Sequence, residues 1–284
     1  MKISTEIGSI SELVGEHKAV ELCAKAGFDG WDFSMFAMGP YNWRIDGLDP
    51  SDHPLCTGNH LKLARELRKI GEDNGICCNQ SHAPFPVSCP AIRDRLEWAI
   101  ECTAEAGGEI CVIHPDNDKS PEENAQMYFE LLPFAKSCGV KIATENMWNW
   151  APGWTHIVEA ACSTSESFCK HLEAVNDDFV IACLDIGHAE MRGAGDGAYK
   201  MIHALGSKLQ ALHIHDNNLK DDSHEIPFSM DIDFDLVVRA LKEIGYSGWL
   251  TLEAGTYMKK FDSSNAFQGV CDLAEAVRRL DRMF

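Results

Sequence analysis

The chain has 284 residues, 45% hydrophobic and 24% charged, which allows a large core and suits two ordinary domains or one α/β barrel of about 250 residues. Its formal net charge of −19 repels polyanions on average and speaks against general nucleic-acid binding. No apolar stretch reaches the roughly 18 residues of a membrane span, and MKISTEIGSI is too short and too polar for a signal peptide, so a cytoplasmic protein is expected.

Along the chain, helical segments that end in glycine are followed by short apolar strands. AKAGFDGWDFS (24–34) and KEIGYSGWLTLE (242–253) share a Gly-aromatic-x-Gly-Trp core, and the segments at 72–82, 104–114 and 136–145 repeat the idea more loosely. Glycine adopts the left-handed conformation that ends a helix without steric strain. The pattern predicts a strand at 2–7, a helix at 12–26, a strand at 30–34 and a long loop over 35–58. It continues with a helix at 59–74, a strand at 76–82, a helix at 91–106 and a strand at 109–114. Ser120 as cap and Pro121 at the first helical position open a helix at 121–138. Strands at 140–145, 180–185, 209–214 and 248–253 then alternate with helices at 164–175, 196–205, 234–244 and 266–281. Eight strands alternating with eight helices predict a single (β/α)8 TIM barrel domain over 1–284, with its site at the C-terminal strand ends. An open doubly wound sheet fits less well, because no Gly-x-Gly-x-x-Gly follows the first strand.

The twelve cysteines are scattered, with no CxxC pair, and several (Cys23, Cys102, Cys111, Cys183) lie in apolar runs. They read as small buried hydrophobes in a reducing compartment rather than zinc thiolates. The histidines and carboxylates are more informative. His82, His114, Glu145, Asp185, His213 and Glu253 each fall where a predicted strand ends. One such residue is ordinarily solvated or hydrogen-bonded in the core; six in succession point to convergence on one metal site. Mixed carboxylate and imidazole donors suit Zn, Mn, Co or Fe(II), whereas all-oxygen shells suit Mg and Ca.

His188 follows Asp185 by three residues, and Asp222 and His224 form an Asp-x-His pair in the loop after the seventh strand. These groups could bind further metals or orient substrate. His215 shares the face of His213 and reads as a supporting neighbour of the site. His17, His60, His171 and His203 fall on helices and read as surface or packing residues. Trp148, Trp150 and Trp154 follow Glu145 and could wall a sugar site; loop packing is the other reading, for them and for Phe36, Tyr41 and Trp43.

The motif order SHAP, VIHP, TEN, LDIGH, HIHDN, DSH, TLE resembles the xylose-isomerase-like barrel superfamily, which holds sugar isomerases and epimerases, inosose dehydratases and endonuclease IV. The resemblance covers the third to eighth strands, about two thirds of the chain. It implies a metal held by Glu145, Asp185, His213 and Glu253. It also implies that Glu145 and Glu253 are the acid and base, one removing the proton beside a carbonyl and the other returning a proton. The implied metal stabilises the enediolate as a Lewis acid. His188, His82 and Trp148 are the expected substrate contacts.

Endonuclease IV resembles the chain in another way. Its trinuclear zinc site has nine ligands, and each has a matching type here: His82, His114, Glu145, Asp185, His188, His213, Asp222, His224 and Glu253. The segment after His82, APFPVS, lacks the residues expected to pry open a duplex, and residues 30–60 carry Arg44 alone against Asp32, Asp46, Asp49 and Asp52. The chain also departs from the ketose 3-epimerases, with Ala151 and Leu219 where that subgroup carries a second Glu and an Arg.

The sequence therefore leads to a metal-dependent isomerase or epimerase of a sugar or cyclitol derivative, using Zn, Mn or Co in preference to Mg. The partner is a small carbohydrate; membrane and nucleic acid are not expected, and a homo-oligomer is consistent with the superfamily. Three rivals stand beside it: a zinc phosphodiesterase of the endonuclease IV kind, a keto-cyclitol dehydratase, and a silent sugar-binding barrel.

Overall fold

The recurrent glycine stop is visible at Gly139, whose left-handed φ of 70° ends helix Pro121–Cys138. That helix begins in a capping box: Ser120 Oγ accepts from the Glu123 backbone N–H while the Glu123 carboxylate accepts from the Ser120 N–H. The computed structural model describes residues 1–284. Its eight barrel strands are β1 (Lys2–Thr5), β2 (Gly30–Ser34), β3 (Cys77–His82), β4 (Ile110–Val112), β5 (Lys141–Glu145), β6 (Val180–Asp185), β7 (Leu209–His213) and β8 (Trp249–Leu252).

Strands β2 to β7 pair in parallel in sequence order, and β1 pairs in parallel with β8. The two remaining seams close through single parallel bridges, Glu6 to Asp32 and Ile214 to Leu252. The result is a closed TIM barrel, as the helix–strand alternation predicts.

Strand side chains alternate between faces, and here that alternation builds the site. On β6, Ala182 and Leu184 join the large core between strands and helices, while Ile181 and Cys183 join a separate buried cluster with Val112, Ala143 and Ala211. Two residues further along the same face come His114, Glu145, Asp185 and His213. Across the barrel the buried layer is polar instead. Ser4 Oγ donates to Thr251 Oγ1 (2.9 Å), Thr251 Oγ1 to Gln80 Oε1 (3.3 Å), and Gln80 Nε2 to Asp32 Oδ2 (2.9 Å). Glu6, Ser34, His82 and Glu253 continue those faces. The hydrophobic period thus aims a ring of polar groups at the C-terminal mouth.

Several boundaries differ from expectation. The helix expected at 12–26 is two, Gly8–Val14 and Glu16–Ala26, broken at Gly15 with φ 80°. The helix expected at 91–106 is likewise Pro90–Arg93 and Leu96–Glu105. A one-turn helix, Ile186–Glu190, follows β6. Two segments read as loop contain antiparallel hairpins, Tyr41–Asn42 with Gly47–Leu48 and Trp148–Trp150 with Ile157–Glu159. Aromatic and β-branched residues suit these short pleated ribbons. His114 and Glu253 lie just beyond their strands rather than at the last residue.

Candidate metal centre

Each motif fixes its ligand-type side chain by local bonding. Asp185 caps the one-turn helix after β6: its Oδ1 accepts from the His188 N–H at 2.6 Å, which places His188 one turn on. Asn146, next to Glu145, clamps the end of β6, accepting from Asp185 N at 2.7 Å and donating to Asp185 O at 2.9 Å. In HIHDN, Asp216 accepts from the backbone N–H groups of Asn217, Met230 and Ile232, so it ties down the loop that carries Asp222 and His224.

Three of the histidines share one arrangement. His82 Nδ1 donates to Ala83 O (2.9 Å), His188 Nδ1 to Asn146 O (2.8 Å), and His224 Nδ1 to Glu253 O (2.7 Å). Each therefore turns Nε2 toward the cluster. Metal-binding histidines are oriented in this way, by a carbonyl or carboxylate on the second ring nitrogen.

Three groups of donors cover the predicted ligands, the first two sharing Glu145: His82, His114 and Glu145; Glu145, Asp185, His213 and Glu253; and His188, His215, Asp222 and His224. Within each, the donor atoms lie within 4.8 Å of one another. Glu145, 1% exposed, belongs to two of them. Its carboxylate lies 2.9 Å from His213 Nδ1, 3.1 Å from His114 Nε2 and 3.5 Å from His82 Nε2. Asp222 lies 3.3 Å from His188, 3.1 Å from His224 and 3.4 Å from His215.

Electrostatics follow from this packing. Burial alone would raise the Glu145 carboxyl, but the imidazoles of His213, His114 and His82 hold it well below the ordinary carboxylate range. Asp222 is held well below its ordinary value by His188 and His224, again against burial. The reciprocal effect raises His188 and His213 well above the ordinary imidazole value and pushes His224 up to about 10. His114 goes the other way, lowered chiefly by burial.

A divalent cation fits these donors. Glu145 Oε2, Asp185 Oδ2 and Asp222 Oδ1 are buried carboxylate oxygens that no donor meets in hydrogen-bond geometry, although imidazole nitrogens lie 3.1 Å from the first and the last. Such atoms are costly unless something positive meets them. Every residue predicted from the sequence as a ligand lies in one of the three groups, and His188, His82 and Trp148 line the adjoining cavity. Trp148 also donates from Nε1 to Asp222 Oδ2 at 3.2 Å.

Three residues gain roles that sequence reasoning did not give them. Asp32, grouped with loop acids, lies buried on β2 beneath His213. Glu6 lines the cavity after β1, its carboxyl raised by burial. His215, read as a supporting neighbour, stands among the donors of the outer group. A lone acid inside an apolar strand, as in GWDFS, was the available signal for Asp32.

The cavity over the cluster measures about 1050 Å³. Phe36, Phe85, Trp148 and Trp150 contribute to its walls, and Trp43 and Trp154 stand at its rim 73% and 75% exposed. Lys259 is the one lysine or arginine in its lining, against eight carboxylates.

The fold and the cluster define a (β/α)8 barrel with a carboxylate–imidazole centre at the carboxyl ends of its strands. More particularly, the chain belongs to the xylose isomerase-like TIM barrel family, whose model matches residues 20–282. It is 29% identical over 227 residues to the uncharacterized protein MJ1311 of Methanocaldococcus jannaschii, covering 70% of this chain and 72% of that one. It is 35% identical over 169 residues to the uncharacterized protein y4fM of Sinorhizobium fredii, covering 56% of this chain and about half (51%) of the relative.

Solved structures share the fold. A D-tagatose 3-epimerase-like protein superposes with a TM-score of 0.71 at 22% identity over 99% of both chains. The 3-keto-D-glucoside 4-epimerase YcjR of E. coli gives 0.70 at 15% over 99% of both. The IolI protein with a bound zinc atom gives 0.70 at 21%, covering 100% of this chain and 99% of that one. No helix is long and apolar enough to cross a membrane.

Proposed function

We propose that this protein is a metal-dependent isomerase or epimerase of a small polyhydroxylated substrate, a sugar or cyclitol derivative, working as one barrel domain over residues 1–284. The observation that carries the reading is the pairing of a four-donor group at the strand ends with a roomy, aromatic-walled cavity almost devoid of lysine and arginine. Glu145, Asp185, His213 and Glu253 hold the metal in this reading, with zinc, manganese or cobalt suited to the mixed donors. The bound cation supplies Lewis-acid polarisation of substrate oxygens.

Glu145 and Glu253 handle the proton. Glu253 borders the cavity, its Oε2 3.3 Å from His213 Nδ1, and Glu145 Oε1 lies 2.9 Å from the same nitrogen. One carboxylate takes the proton from the carbon beside the carbonyl, giving an enediolate, and the other returns a proton to carbon or oxygen. His188 and His82 offer polar contacts to substrate hydroxyls, and Trp148 offers an apolar face. Expulsion of water from the same enediolate would make the protein a keto-cyclitol dehydratase; the residues serve both outcomes.

A phosphodiesterase is the second reading. It is favoured by the outer donors His188, Asp222 and His224 and by His82 and His114, which would hold further metals. The lining argues against a polyanionic substrate, since eight carboxylates face it with Lys259 as the one lysine or arginine.

The test is solvent deuterium incorporation, followed by NMR, into a panel of ketoses and keto-cyclitols. The wild type should exchange a carbon-bound proton only when metal-loaded, and Glu253→Gln should lose about 10²–10⁴-fold of that rate, the usual worth of a general acid or base. Cleavage of abasic-site DNA without any exchange would replace this reading by the second.

A further inference from the structure

The barrel interior holds a carboxylate that the proposed chemistry does not use. Asp32 lies on β2 below the mouth and is fully buried. A buried carboxylate sacrifices several kcal/mol of hydration, so its partners matter. Oδ2 accepts from Gln80 Nε2 at 2.9 Å and lies 3.4 Å from His213 Nε2; neither Asp32 Oδ1 nor His213 Nε2 has a hydrogen-bond partner. The Gln80 amide cannot turn over freely, because its Oε1 accepts from Thr251 Oγ1 and Asn79 Nδ2. The pairing of β2 with β3 shifts register between Trp31 and Asp32. Such an irregularity re-aims the side chains that follow it.

The His213 ring is therefore held from both sides. Nε2 faces Asp32 inside the barrel, while Nδ1 faces Glu145 Oε1 at 2.9 Å and Glu253 Oε2 at 3.3 Å. A neutral imidazole has one N–H and one lone pair. In this structure the ring's hydrogen bond runs from Nδ1 to Glu145 Oε1, and Nε2 has none. A cation that takes the Nδ1 lone pair moves the N–H to Nε2, 3.4 Å from Asp32 Oδ2.

We propose that Asp32 is a positioning residue: with a cation on Nδ1 it would accept the His213 Nε2–H and so favour the tautomer that holds the cation. This rests on reading Glu145, Asp185, His213 and Glu253 as the metal-holding set. Asp32 makes no contact with His188, Asp222 or His224, so ions held by those residues serve as an internal control.

Cobalt titration of the chelator-stripped protein, followed by visible d–d absorption, tests it with two variants. Asp32→Leu removes the acceptor and should weaken the inner site about 10- to 100-fold, the usual cost of losing an orienting partner. Asp32→Asn keeps an acceptor oxygen, held in place by Gln80, and should lose less than tenfold. Inner-site affinity of Asp32→Leu within threefold of wild type, or equal losses in both variants, overturns the inference, whatever happens to the melting temperature. Should Asp32→Leu fail to fold, long-range ¹H–¹⁵N spectra of the zinc-loaded wild type decide. A His213 proton on Nε2 with the downfield shift of a hydrogen bond to a carboxylate supports the inference; a proton on Nδ1, or an Nε2 proton without that shift, overturns it. Wild-type protein that takes up no cobalt at all overturns the metal reading and this inference together; unchanged variants beside a cobalt-binding wild type overturn only the inference.

Discussion

Replacing Glu145 by glutamine removes one negative charge from the middle of three imidazoles. The side chain is 1% exposed and lies 2.9, 3.1 and 3.5 Å from His213, His114 and His82. Removing one partner of a buried ion pair costs about 3–5 kcal/mol, because the remaining charge stays buried. At roughly 2–4 °C per kcal/mol for large domains, metal-free Glu145→Gln should melt about 6–20 °C below the metal-free wild type at pH 7. The variant should also lose metal from two donor groups at once, since Glu145 belongs to both. The assay is differential scanning calorimetry of both proteins after chelation and again after zinc is restored. Zinc at a thousand times its dissociation constant should stabilise the wild type by about 4 kcal/mol and the variant by little. A metal-free melting temperature within 2 °C of wild type, together with an undiminished zinc effect, would refute the central place given to Glu145.

The metal-free protein should lose stability as pH rises from 6.5 to 10. His224 is raised to about 10 by Asp222 despite burial, and His188 and His213 are raised too. A raised folded value adds stability that is fully present below the unfolded imidazole value near 6.5 and lost on passing the folded one. Glu145 and Asp222, held low, add stability that is lost on acidification below about pH 4. Melting curves from pH 3 to 10 check both limbs, and a flat metal-free profile above 6.5 contradicts them. Gly187→Ala should cost about 1–3 kcal/mol, since a β-carbon there would sit 2.0 Å from His215 Cε1. It should also weaken metal uptake by the outer group. Unchanged melting and stoichiometry would count against the crowding of His215.

The strand ligands were legible because the barrel repeats one local rule. A left-handed helix stop, a short apolar run and a polar residue in phase with the inward face suffice to place Glu145, Asp185 and His213 at the mouth; the stop before the Asp185 strand is Asn176 instead of glycine. The helix 121–138 was legible to the residue, because Ser120, Pro121 and Gly139 are strong local signals. The outer group was legible only as motifs. Asp222 and His224 reach His188 and His215 through the path of a loop, and that path depends on Asp216 gathering the N–H groups of Asn217, Met230 and Ile232. Asp32 was hidden for a different reason. Its partners Gln80 and His213 are remote in sequence, and only barrel closure puts them beneath one another. The tryptophan hairpin was missed because three-residue strands give too little periodicity to tell a ribbon from a loop.

Elemental mass spectrometry of the purified, untagged protein tests the central claim most directly. The account predicts at least one zinc, manganese or cobalt ion per chain, depleted by chelation and by Glu145→Gln. Two or three zinc ions per chain would extend the ligand set to His82, His114, His188, Asp222 and His224 and send the search to phosphate substrates first. Protein that carries no divalent ion, and takes up none when zinc, manganese or cobalt is supplied, would contradict the account.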